Sequence, residues 1–252
     1  MENLRISTMT AISSLNTDIN LDNLFNNMKV CDVCPFIEHG AHGCKGESNK
    51  MKRKSRKPVK KKKFFNQVTI HVECDKRVNV KMFNNGKIQM TGLKYEEHGS
   101  KVLQKLIPII KDLDNKNKRK ICSHSEDIIF SSMNIVLINS DFDIGYKVKR
   151  EVLHKEIIDL GMYSSYEPCI YPGVNIKYFF NSNQHNGICT CVSMCNGKGD
   201  GCSDGGCKKI TVAVFKSGKI IITGARSREH LELSYYFITK FMNSIKNKIL
   251  LE

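Results

Sequence analysis

A chain of 252 residues with 40% hydrophobic content is long enough for one large or two small domains with a proper core. No run of about 18 apolar residues occurs, and the N-terminus Met1-Glu2-Asn3-Leu4-Arg5 has no apolar signal core, which argues against a membrane span and against secretion. The 40 Lys and Arg against 25 Asp and Glu give a net charge of +15, a balance that favours a polyanionic partner.

Residues 4 to 15, rich in β-branched and hydroxyl side chains, read as a strand, and an amphipathic helix starts at Leu21. Cys31 to Lys63 then reads as an irregular insertion. Its first part carries Cys31, Cys34, His39, His42 and Cys44; its second, Lys50 to Lys63, holds ten Lys or Arg in fourteen residues and reads as a self-repelling, disordered block. Strands are predicted over 64–72 and 78–83, a tight turn at Asn85-Gly86, and a further strand ending at Thr91-Gly92. Val102, Leu103, Leu106, Ile109, Ile110 and Leu113 then fall at helical spacing around Pro108, which should kink the helix.

The second half repeats the first. FNNGKIQMTGLKYEEH (83–98) returns 132 residues later as FKSGKIIITGARSREH (215–230), with eight of sixteen positions identical. A period this long marks two copies of one supersecondary block rather than a solenoid, whose repeats run about 20–50 residues. The strand Met133–Ile138, the match of 139–141 to 16–18, and a helix over 148–160 extend the duplication. Each half is thus predicted to run strand, helix, three strands, long helix, with boundaries at 1–116 and 117–252. A second insertion, 183–208, carries Cys189, Cys191, Cys195, Cys202 and Cys207 among six glycines, a composition with no core of its own.

The pattern Phe, two residues, Gly-Lys, three residues, Thr-Gly in both halves, with Ser164-Ser165-Tyr166-Glu167-Pro168 and Tyr171-Pro172-Gly173, resembles the TATA-box-binding protein family in its form from large DNA viruses of eukaryotes. The resemblance covers nearly all of the chain outside the insertions. It implies an α+β fold of two pseudo-symmetric repeats, a saddle-shaped curved antiparallel sheet of about ten strands with helices on its convex face. It also implies a protein without enzymatic activity that binds A/T-rich promoter DNA through the minor groove. A transcription factor IIB-like initiation factor and the RNA polymerase machinery would be its protein partners, and the host nucleus or a cytoplasmic viral factory its location. The family is itself the reference case for kinking DNA by about 80°, a magnitude that belongs to the family and not to these residues.

Carried over position by position, the resemblance makes Phe65, Phe83, Tyr171 and Phe215 the aromatic wedges. Thr91, Thr223 and Asn134 become small polar readers, with Val136 and Ile221 as apolar groove contacts. Lys87, Lys177, Lys219 and His71 would face phosphates. In the first half Thr8 and Thr10 replace the family's Asn and apolar contact, and Lys81 and Gln89 replace further apolar positions, so the base preference need not be TATA. Glu167, Cys169 and Ile170 would form the partner-binding loop.

Eleven cysteines without a secretion signal argue for thiols or metal over disulfides. The Cys189–Cys207 set is the stronger candidate for structural Zn²⁺, and Cys31, Cys34 and Cys44, with His39 and His42, the weaker. Two rival readings stand beside the first: a saddle-fold binding module without TATA specificity, and a zinc-dependent nucleic-acid enzyme. The second insertion lacks the Glu that catalytic zinc would need as general acid or base.

Overall fold

A computed structural model describes residues 4–48, 64–124, 128–181, 185–192 and 198–251. The basic run Lys50–Lys63 and Cys195 lie outside the described residues. The chain forms two compact units, Met9–Ile135 and Val136 onward, the latter joined by residues 4–8.

The N-terminal unit contains most of β1 (Arg5–Ser14), then α1 (Leu21–Asn27), β2 (Phe36–His39), β3 (Gly43–Gly46), β4 (Gln67–Val72), β5 (Val78–Phe83), β6 (Lys87–Leu93) and α2 (His98–Lys116). Its strands run in the antiparallel order β3-β2-β4-β5-β6-β1. One face buries Val68, Ile70, Val80, Met82, Ile88 and Met90, and α2 adds Val102, Leu103, Leu106 and Ile110. Alternation leaves Gln67, Asn79, Lys81, Phe83, Gln89 and Thr91 on the opposite, open face. The segment after α2 stays with this unit. The buried Asp114 carboxylate accepts the Ile121 and Cys122 N–H groups, and Ile19 bridges Cys122.

The C-terminal unit holds β7 (Asn134–Asp143), α3 (Arg150–Asp159), β8 (Tyr163–Ser165), β9 (Val174–Phe180), β10 (Lys208–Val214), β11 (Lys219–Ala225), α4 (Arg228–Ser244) and α5 (Lys246–Ile249). The antiparallel order is β7-β11-β10-β9-β8. Ile176, Tyr178, Ile210, Val212, Ile220 and Ile222 are buried on one face with Leu231, Ile238 and Met242 of α4.

The duplication survives at the level of single hydrogen bonds. Gly86 and Gly218 close the two hairpins at φ of 71° and 89°, donating to the Phe83 and Phe215 carbonyls. A side chain at either glycine would strike backbone, the Thr17 carbonyl in one unit and the Tyr146 carbonyl in the other. The identical Glu-His pairs also find a reason. Lys94 N–H donates to His98 Nδ1 and Arg226 N–H to His230 Nδ1, both at 3.3 Å, so each His fixes the turn from strand to helix.

Two expectations of the sequence need correction here. Among the described residues the second half carries four strands after its first helix and the first half five, not three each, because short edge strands were missed. Ile37 pairs with Ile70 and Ser164 with Ile176, so β2 occupies in its unit the place of β8 in the other. Phe36–His39 is therefore not part of an unmatched insertion; the unmatched stretch starts after His39, with β3 as its added strand. At four and three residues, β2 and β8 are too short for alternation to show.

The second correction concerns register. Ser14 stands opposite Lys87 and Asp143 opposite Lys219, so β1 and β7 correspond at an offset of 129 residues. The loops agree: Leu15 N–H bonds the Gly86 carbonyl as Ile144 N–H bonds that of Gly218, and Ile19 and Val148 donate to Asn84 and Lys216. Asn16 thus matches Gly145, not Asn139, and β7 runs to Asp143 rather than stopping at Ile138.

Candidate nucleic-acid interface

The C-terminal unit gathers the greater part of the predicted site. Lys219, Ile221 and Thr223 alternate along the open side of β11, opposite buried Ile220 and Ile222. Across the pairing, Ala213 faces Ile221 and Thr211 faces Thr223, and Lys177 of β9 stands beside Thr211. Lys177 Nζ donates to Thr211 Oγ1 at 2.9 Å, and its partial burial, then the neighbouring Lys209, lowers its pKa below the usual lysine range. An open concavity of about 1030 Å³ is lined here by Arg5, Thr8, Asn139, Asp141, Phe215 and Ile221, among others.

Phe215 follows β10, and Tyr171 precedes β9. Their rings meet edge to face, 5.7 Å between centroids at 61°. Gly173 makes this seat, since a Cβ there would come within 2.8 Å of the Tyr171 ring and 3.2 Å of Phe215. Arg150 fastens the loop by donating to the Pro172 carbonyl, and its guanidinium lies 5.1 Å from the Tyr166 ring centre. The Glu167 backbone carbonyl closes the turn by accepting the Ile170 and Tyr171 N–H groups at 2.9 and 2.8 Å. Cys169 is exposed and Ile170 is 86% exposed at the loop tip.

In the N-terminal unit Phe65 is 63% exposed and Phe83 half-buried at the end of β5. Among the described residues no aromatic ring stacks on either. Lys87 and Thr91 are exposed on β6, Thr10 pairs with Thr91, and His71 is buried opposite Asn79.

The repeat register bears on the pairing of Asn134 and Val136 with Thr8 and Thr10. At the observed offset the counterparts of Thr8 and Thr10 are Leu137 and Asn139, while Asn134 and Val136 match Arg5 and Ser7. The slip is an odd number, so Asn134 and Val136 fall in step with buried Ile138, Ser140 and Phe142 rather than with Asn139 and Asp141, although Asn134 itself is exposed and Val136 half-buried. Thr8 Oγ1 and Asn139 Oδ1 both line the concavity, both are buried, and neither has a hydrogen-bond partner. The sequence reading also missed Thr211, Ala213 and Asn79, which only cross-strand pairing places on the open faces. Asp141 puts an acid on this surface. The Ser7 hydroxyl and then Arg5, at 2.8 Å, hold its carboxyl ionised below the usual range, and the guanidinium offsets its charge.

Three groups of potential metal ligands converge among the described residues. They are Cys189, Cys191 and Cys207; Asp22, His39 and His42; and Cys74, Asp75 and His98. Cys31, Cys34 and Cys44 do not form one. Cys44 pairs opposite Glu38, so it points to the other face of the β2–β3 hairpin from His39, which turns with His42 toward Asp22. Burial, followed by the neighbouring Cys31, pushes the Cys34 thiol up to about 12. Cys202 is exposed and outside the Cys189 cluster.

Comparison with known proteins agrees with this geometry. The family model "Transcription factor TFIID (or TATA-binding protein, TBP)" matches residues 132–245, the half with the ordered aromatic pair. A "TATA-box-binding protein-like" protein of Acanthamoeba polyphaga mimivirus is 31% identical over 98% of this chain and 67% of its own length. TATA-box-binding proteins of Dictyostelium discoideum and Bombyx mori are each 24% identical, over 66% and 81% of this chain. The chain spans only 60% and 53% of those two proteins. Among solved structures, Methanococcus jannaschii TBP superposes with a TM-score of 0.56 at 17% identity, covering 97% of this chain and 99% of that one. That likeness shows the two-repeat antiparallel α+β fold, and the viral relative, 31% identical over 98% of this chain, shows that the chain belongs to the TATA-box-binding protein family.

Proposed function

We propose that this chain binds A/T-rich promoter DNA through the minor groove, bends it with its aromatic pairs, and recruits an initiation factor of the transcription factor IIB type through Glu167, Cys169 and Ile170. Members of its family are non-enzymatic DNA-binding transcription factors, and the zinc-enzyme alternative is set aside on that ground. The observation that carries the reading is the Tyr171–Phe215 pair at the edge of an open face made of Ile221, Ala213, Thr211 and Thr223 and rimmed by lysines. Such a face suits the minor groove of A·T pairs, which offers acceptors and no bulky donor, so small hydroxyls and apolar groups tolerate either orientation of the pair. Aromatic groups at strand ends can enter a base step and pay for its unstacking with newly buried surface. Lys177 and Lys219 would supply phosphate contacts that carry affinity without sequence.

Selection of bound duplexes from a random pool, followed by end-to-end fluorescence transfer on the selected duplex, tests the proposal. Enrichment of A·T-rich sequence with a shortened end-to-end distance is the expected result. A bound pool without base preference would favour the second reading, a saddle-fold binder lacking TATA specificity, for which the polar pair Lys81 and Gln89 speaks.

A further inference from the structure

The connection from β9 to β10 contains a thiol cluster that the DNA-binding reading does not use. Cys189, Cys191 and Cys207 bring their Sγ atoms within 4.8 Å of one another, and Cys191 and Cys207 are 3.6 Å apart. A disulfide would need about 2.05 Å. In contrast, tetrahedral Zn²⁺ with Zn–S bonds of about 2.3 Å sets its sulfurs about 3.8 Å apart, close to the observed separation.

The surroundings are shaped for close approach of sulfur. A Cβ on Gly205 would come within 2.9 Å of Cys191 Sγ, and Gly206 takes φ of 59° to turn the chain into Cys207. Thr190 N–H points at Cys207 Sγ from 3.4 Å, the kind of bond that orients and stabilises a thiolate ligand. Cys207 itself is buried, whereas Cys189 and Cys191 are half-buried, so the cluster is reachable from solvent.

Both ends of the connection are already anchored. Phe179 N–H donates to the Gly187 carbonyl, Lys209 N–H to that of Gly199, and Gly201 N–H to that of Cys207. Among the described residues between them Ile188 and Val192 are exposed, so ligand bonds are the available means of repaying the ordering entropy of the connection.

We propose that Cys189, Cys191 and Cys207 bind one Zn²⁺ as a structural clasp of this connection, with Cys202 as the fourth ligand. Cys202 is the remaining described thiol of the segment; it is exposed and outside the three-sulfur cluster, and it adjoins Gly201, whose backbone is bonded to Cys207, so its side chain has only to turn inward to reach the metal. The clasp lies where Phe180 pairs with Lys208, while Phe215 follows Val214 at the other end of the same strands. Seven residues of strand, roughly 20 Å, separate the two. Zinc and DNA should therefore bind independently.

The full chain, purified under reducing conditions without chelator, should carry one zinc ion by mass spectrometry of the metal. After metal exchange, Co²⁺ should give a thiolate-to-cobalt charge-transfer band and tetrahedral visible bands. Cys189→Ser or Cys191→Ser should remove both signals, and Cys44→Ser or Cys169→Ser neither. If Cys207→Ser does not fold, the half-exposed Cys191→Ser decides. Wild-type protein that stays metal-free and gives no cobalt band, or metal that survives Cys191→Ser, would overturn the site. Tetrahedral bands unchanged in Cys202→Ser would overturn the fourth ligand. Duplex affinity measured before and after zinc removal is expected to be equal, so failure of the clasp and failure of the DNA reading are separately visible.

Discussion

Lys81 and Gln89 face each other across β5 and β6 in the N-terminal unit, where the C-terminal unit sets Ala213 opposite Ile221. On the buried side of the same strands the two units agree: Val80, Met82, Ile88 and Met90 in one, Val212, Val214, Ile220 and Ile222 in the other. Packing therefore preserves one face, because any change of volume or polarity there is felt by the helix above it. The open face is free of that constraint and has diverged. The aromatic ends differ as well, Tyr171 resting on Phe215 while Phe65 stands exposed with no stacking ring among the described residues. The duplicated backbone thus carries two different open faces, one with Ala213 and Ile221 beside a seated aromatic pair and one with Lys81 and Gln89.

The sharpest way to break this comparison is to remove the aromatics one unit at a time. Tyr171→Ala with Phe215→Ala should weaken duplex binding by about 10- to 100-fold, from ~1.5–3 kcal/mol for a buried ring, and should lose most of the bend seen by fluorescence transfer. Phe65→Ala with Phe83→Ala should do less. Equal losses in the two double variants would erase the distinction between the units.

Next in size, making the polar unit apolar should sharpen base preference. Lys81→Ala with Gln89→Ile copies Ala213 and Ile221. It is expected to narrow the sequences recovered from a random pool and to raise affinity for A·T-rich duplexes by about 3- to 10-fold, the worth of roughly 1 kcal/mol. An unchanged pool would show that the N-terminal open face does not touch bases.

Lysines should act alike on every sequence. Lys219→Gln or Lys87→Gln should reduce the slope of log affinity against log salt by about 0.9 each, with no change in the recovered pool. Deleting Lys50–Lys63 should flatten the slope further, and an unaltered slope would leave that run without a role in DNA binding.

The smallest effect is expected where the two units agree. Burial holds the pKa of both His98 and His230 below the ordinary 6.5, so the folded chain keeps them neutral while the unfolded chain takes up protons first. Their contribution is complete above about 6.5 and is lost as pH falls through the ordinary His range toward the lowered values. Denaturant midpoints measured between pH 7.5 and 5.5 should fall, and less steeply in His98→Gln or His230→Gln. Matching changes in the two variants would confirm a shared structural role; a change in DNA affinity instead would contradict it.

What the sequence determined by itself is local. The hairpin turns were legible at Asn85-Gly86 and Ser217-Gly218 because a positive φ leaves glycine as the low-cost choice, and the duplicated run from Phe83 to His98 fixed the repeat. Core positions were legible from their period. Three things required the tertiary structure. The register of β7 was decided by hydrogen bonds to β11, some eighty residues away, and it matched Thr8 and Thr10 to Leu137 and Asn139 rather than to Asn134 and Val136. Phe36–His39 became an edge strand only by pairing with β4, since four residues carry too little pattern to announce themselves. The choice among the cysteines also lay beyond spacing: Cys44 is turned away from His39 by a hairpin, while Cys189, Cys191 and Cys207 meet because two strand ends bring them together. In each case the deciding quantity is a distance between residues far apart in the chain, set by strand pairing, which no window of sequence contains.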